Sequence, residues 1–107
     1  MHNQEPQPMD HFTVRIDREL EGIVPVFLAN RRKDLQTIRH SLSQQDFETI
    51  QMLSHRMKGD GGGYGFDRIT EIGGIMELAA SRRDRTAIEE HTTALEDFLA
   101  RVSIVYV

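Results

Sequence analysis

Apolar residues recur along this chain with the 3.6-residue rhythm of amphipathic helices, broken at short polar intervals. Val24, Phe27, Leu28, Leu35, Ile38 and Leu42 form one stripe. A helix is expected there from about Pro25, a residue suited to a first helical turn, to about Leu42. Arg31, Arg32 and Lys33 interrupt the stripe and are expected to face water at least in part. Ser43-Gln44-Gln45-Asp46 reads as a connection with N-cap residues at both ends. A helix should follow from about Asp46 past His55, with Ile50, Leu53 and Met57 on one face. Asp67 can cap the next helix, whose inner face is Ile69, Ile72, Gly73, Met76, Ala79 and Ala80. After a turn at 81–85, Thr86-Ala87-Ile88-Glu89 has the form of a capping box. The last helix then carries Ile88, Leu95, Phe98, Leu99 and Val102. Ahead of these four, Asp17 can cap a short helix containing Leu20 and Ile23. Short links between amphipathic helices favour antiparallel neighbours. The expected fold is therefore all-α: an antiparallel up-and-down four-helix bundle over residues 12–107, with a short additional N-terminal helix covering one end. Residues 1–11, polar and carrying Pro6 and Pro8, read as a flexible tail. Ile104 to Val107 has strand character and no assigned role.

Composition narrows the function. The 107 residues fit one domain. With no cysteine, disulfides and thiolate metal sites are excluded, and a reducing compartment is favoured. Met1 to Asp10 lacks the basic and apolar regions of a secretory signal, and no apolar run approaches the ~20 residues needed to span a bilayer. A cytoplasmic protein without a membrane partner is expected. The net charge of −4 argues against nucleic acid as the partner. No Walker A loop, HExxH helix or GxSxG elbow is present. His40 and His91 lack an i, i+4 ligand partner and read as surface or satisfied histidines, so no metal site is expected.

The candidate chemistry lies at His55. At about 100° per residue, Ile50, Leu53 and Met57 lie nearly opposite it, so an inward face for those three turns His55 to solvent. Lys58 at i+3 and Gly59 at i+4 share its face, and Gly62 at i+7 is almost in line. Five of the seven residues from Gly59 to Gly65 are glycine, each disfavoured by roughly 1 kcal/mol against Ala inside a helix. Either the helix ends at Gly59 and a loop follows, or some glycines serve close approach. In the second case Gly61 would admit a neighbouring helix, Gly59 and Gly62 would clear a partner's path to His55, and Gly65 would form a left-handed cap. A neutral imidazole nitrogen is a competent nucleophile near neutral pH. Lys58 can meet phosphoryl oxygens as a point charge. With no nucleotide pocket nearby, a second protein would have to supply the phospho-donor and Mg2+.

His55, Met57, Lys58, Gly59 and Gly65, followed by Ile69, Gly73 and Met76-Glu77, resemble the histidine-containing phosphotransfer (HPt) family. Its pattern is His, any residue, a Leu-like residue, Lys, Gly and a later Gly, then an apolar residue, a small residue and an apolar-Glu pair. The resemblance spans about residues 14–102, and Gly59–Phe66 with Phe27–Arg32 looks like a glycine-rich branch. It implies a phosphorelay protein that exchanges a phosphoryl group between His55 and the aspartate of response-regulator receiver domains. Lys58 would stabilise the phosphoryl oxygens. The chain would be a phosphocarrier without kinase activity, binding no cofactor, with Mg2+ on the receiver. The implied partners are receiver domains and hybrid histidine kinases, met by a monomer. Arg56, Gly59, Gly62 and Arg68 are the expected docking positions, since basic residues around His55 would speed encounter with an acidic receiver pocket. Asp60 stands where the family commonly has Ser or Ala. The helical count places it nearer the core than His55, where it should pair with an Arg or cap a backbone end. It raises an alternative: a module that binds a receiver or kinase without carrying phosphate. Tyr64 and Phe66 are expected in packing, and Met52, Met57 and Met76 in the core or at its edge.

Overall fold

The four apolar stripes become four helices in the computed structural model, which describes residues 12–107: α1 Val24–Ser43, α2 Phe47–Gly63, α3 Asp67–Ser81 and α4 Arg85–Arg101. The inward positions expected from periodicity are buried on all four, from Val24 and Phe27 on α1 to Phe98 and Leu99 on α4. Pro25 sits in the first turn of α1. The Asp46 carboxylate caps α2 by accepting from the Thr49 N–H at 3.1 Å. No helix among the described residues is long and apolar enough to cross a membrane.

Two helix starts differ from expectation. The cap of α4 is Asp84, which accepts from the Ala87 N–H at 3.1 Å, so the Thr86–Glu89 box lies inside the helix. The N-cap of α3 is Phe66, with no side-chain cap bond. Asp67 stands instead in the first turn, where its charge still favours the positive end of the helix dipole. Arg31 does not face water. Its guanidinium lies 4.7 Å from the Phe27 ring centroid and pairs with Asp34 at 2.9 Å. A stacked, paired guanidinium can occupy an otherwise apolar face. Met52, expected in the core or at its edge, is 51% exposed.

The fold is not all-α. Strands β1, Phe12–Ile16, and β2, Val102–Tyr106, pair in parallel, with Phe12 opposite Val102 and Ile16 opposite Tyr106. The short helix expected after Asp17 is a single 3-10 turn, Arg18–Leu20, although Asp17 does cap it by accepting from the Glu19 N–H at 2.8 Å. Alternation explains the strands. Phe12, Val14 and Ile16 face the core while Thr13 and Arg15 face water, and Val102, Ile104 and Tyr106 do the same opposite Ser103 and Val105. Val102 thus belongs to a strand and not to the α4 stripe. The expected tail over residues 1–11 lies outside the described residues.

Aromatic contacts tie the strand pair to the helices. Phe12 lies 5.4 Å from Phe98, and Phe66 meets both Phe98, edge-on at 6.3 Å, and Phe27, stacked at 5.5 Å. The most extensively packed helix pair is α2 with α3. Two glycines permit it. A Cβ on Gly73 would come within 2.6 Å of the Lys58 nitrogen and 2.9 Å of the Ser54 oxygen, and one on Gly61 within 2.7 Å of the Thr70 nitrogen. Residues four apart on a helix share a face, so the contact at Gly73 brings Glu77 alongside the His55–Lys58 turn.

Candidate functional site

His55 projects from the middle of α2 with its side chain 66% exposed. Its Nδ1 lies 2.8 Å from Glu77 Oε2, and Lys58 Nζ lies 2.9 Å from Glu77 Oε1. One carboxylate therefore holds both candidate side chains of α2, each by a separate oxygen. A carboxylate only accepts, so the contact places a proton on Nδ1. A neutral imidazole then carries its lone pair on Nε2. The hydrogen bond from Lys58, then that from His55, holds the Glu77 carboxyl below its ordinary value of 4.5, against a smaller upward push from burial. Glu77 is therefore an anion throughout the range in which an imidazole is neutral.

The glycine run stays helical to Gly63, so the helix does not end at Gly59. Nothing lies within 4 Å of a Cβ built on Gly59, whereas one on Gly62 would touch Thr70 Oγ1 at 3.5 Å. The space beside His55 is thus open at Gly59 and partly walled at Gly62. Thr70 also donates its hydroxyl to the Lys58 carbonyl at 2.9 Å, which ties the histidine turn to α3. Gly65 has φ of +88°, directly after the cap residue Tyr64, the left-handed position expected of it.

The other expected positions are divided. Arg56 is exposed and shares a shallow groove with His55, Met52 and Glu77. Arg68 is not brought to that groove; it pairs with Glu71 at 2.7 Å in the first turn of α3. Asp60, expected nearer the core than His55 and paired with an Arg or a backbone end, is exposed and forms no ion pair among the described residues. Asp60 lies at a groove that it shares with Ile23, Val26, Arg56 and Tyr64, between the start of α1 and the end of α2. Tyr64 stacks on Phe27 at 4.4 Å, and Phe66 is fully buried. His40 is exposed, and His91 Nδ1 contacts the Ala87 carbonyl at 2.9 Å within its own helix.

Sequence reasoning missed Glu77 as a site residue. The signal was the Met76-Glu77 pair, one turn beyond a glycine at a helix crossing. The family model described as Hpt domain matches residues 22–104. This chain belongs to the Hpt domain family. The match encloses α1 to α4, including His55, Lys58 and Glu77, and leaves β1 outside it. Hpt domains serve histidine phosphotransfer in two-component signalling, as phosphocarriers rather than kinases, and work with receiver domains and histidine kinases. No curated protein and no solved structure matches the chain.

Proposed function

We propose that this Hpt domain carries a phosphoryl group on Nε2 of His55, taken from and returned to the aspartyl phosphate of a receiver domain. The observation that carries the reading is the Glu77 contact at 2.8 Å on Nδ1, which leaves the other ring nitrogen of an exposed histidine as the nucleophile. In the forward step the Nε2 lone pair forms the N–P bond while the P–O bond to the aspartyl carboxylate breaks. No proton has to move: Nδ1 keeps its hydrogen, and the ring becomes cationic. Charge on the ring grows beside the Glu77 anion, an interaction stronger in the transition state than before it. Lys58, held on the other Glu77 oxygen, turns to the transferring oxygens as their negative charge comes within reach. The receiver supplies Mg2+ and most of the electrostatic stabilisation.

Gly59 gives the receiver room over the imidazole, with Gly62 at its margin, and the exposed guanidiniums of Arg56 and Arg68 favour approach of an acidic pocket. Connections of three residues each between α1 and α2, α2 and α3, and α3 and α4 support an up-and-down arrangement of the helices. A cytoplasmic location fits a reaction that depends on intracellular receivers.

Incubation of the chain with a phosphorylated receiver tests the reading. Transfer of acid-labile, alkali-stable phosphate to the chain is expected. Binding of the receiver with no transfer would make the chain an interaction module instead.

A further inference from the structure

A groove between the start of α1 and the end of α2 lies beside the His55 turn. Its apolar part is Ile23, Val26, Phe27 and Tyr64, and its polar part includes Arg56 and Asp60. Ile23 and Val26 are large apolar side chains left 47% and 61% exposed. Arg56 and Asp60 are four residues apart on one helix, the spacing at which opposite charges ordinarily meet. They form no ion pair with each other or with any other described residue. The other two charges nearby are already matched, Arg31 to Asp34 at 2.9 Å. Burial pushes the Asp34 carboxyl up, Arg31 and then Arg56 draw it down, and Asp60 pushes it up again, which places Asp34 in the field of the other three charges. Arg56 also lines the His55 groove, so the two surfaces are continuous.

We infer that Asp60 and Arg56 are specificity determinants that select receivers whose docking helix sets an apolar face on Ile23 and Val26, a cation against Asp60 and a carboxylate against Arg56. The inference rests on the phosphocarrier reading for the identity of the partner. Charge complementarity selects the occupant. An apolar strip bordered by two unmatched opposite charges fits an amphipathic helix with the reverse charges, and a uniformly acidic surface would be repelled by Asp60. A receiver seated there would reach His55 over the open position at Gly59.

The test titrates wild type, Asp60→Lys and Arg56→Glu against a panel of purified receiver domains, at low and high salt, measuring binding and phosphoryl transfer separately. Circular dichroism confirms that each variant is folded. The receiver that binds wild type best should bind each variant roughly tenfold more weakly at low salt, with a smaller difference at high salt. Reversing the matching basic residue of that receiver's docking helix to Glu should restore binding to Asp60→Lys. Equal binding of every receiver to folded wild type and variants would overturn the inference. Self-association of the chain that is lost in Asp60→Lys would seat a second copy in the groove and overturn it too. Weakened binding by the variants with no transfer to wild type would support this specificity while contradicting the phosphocarrier reading. A panel in which nothing binds wild type would overturn both.

Discussion

Glu77 accepts from two donors, and its removal separates two roles. Glu77→Gln can still accept from Nδ1 through its amide oxygen but loses the anion that faces the ring as it becomes cationic. Transfer should slow by about 10- to 100-fold, with receiver affinity nearly unchanged; single-turnover kinetics beside a binding titration reads both. The same variant bears on acid stability. The Glu77 carboxyl is held below 4.5 in the folded chain. Its contribution to stability is therefore present above that value and lost as pH falls through the lowered one. Melting temperatures between about pH 3 and pH 6 should fall less steeply for Glu77→Gln than for wild type; parallel curves would remove Glu77 from the acid response. Lys58→Ala should lower the saturated transfer rate more than it weakens docking, because its interaction with the phosphoryl oxygens strengthens as the group moves. A pure loss of affinity would leave Lys58 as a docking charge.

At the scale of elements, Gly59 and Gly73 make opposite predictions although both are helical glycines. Gly59 faces open space, so Gly59→Leu should hold or raise stability, by about 1 kcal/mol, while abolishing transfer by filling the approach to His55. Gly73 faces the α2 backbone at 2.6 Å. Gly73→Ala should destabilise by about 1–3 kcal/mol and should also slow transfer, because α2 and α3 must separate and Glu77 moves with α3. Thermal melting with transfer rates on the same preparations checks both. Much of this was legible in the chain. Periodicity located four helices because each buries one continuous stripe, and an outward His55 followed from an inward Leu53 and Met57. The glycine run was ambiguous because local propensity disfavours a helix there, whereas packing against Thr70 and Lys58 retains it. Asp60 was misplaced because angular counting from His55 does not say how much of that side of α2 the start of α1 covers. Arg31 was misplaced although Phe27 at i−4 and Asp34 at i+3 stand at helical-neighbour spacing, because a guanidinium stacked on one and paired with the other can be buried where a lone charge would face water. The Glu77 clamp joins positions 22 residues apart, a distance that no helical spacing reports.

For the whole molecule, the strand pair joins opposite ends of the described chain. Each five-residue strand is ordinary by itself, and nothing local in Phe12–Ile16 names Val102–Tyr106 as its partner, so the pair was not foreseen. It closes the core: Ile16 is 1% exposed and meets the position of Gly65, where a Cβ would lie 2.8 Å from its Cδ1. Ile16→Ala should cost about 2–4 kcal/mol, read by chemical denaturation, and a loss under 1 kcal/mol would mean that the strand pair is peripheral to stability. The bundle that this pair closes exists, on the present account, to hold one imidazole outward with its Nδ1 proton fixed. The most direct test takes wild type and His55→Gln with the same phosphorylated receiver and follows intact mass and label position. Wild type should gain one phosphoryl group, placed on Nε2 of His55, and His55→Gln should gain none while remaining folded and still binding the receiver. Phosphorylation of His55→Gln at the wild-type level would contradict the account.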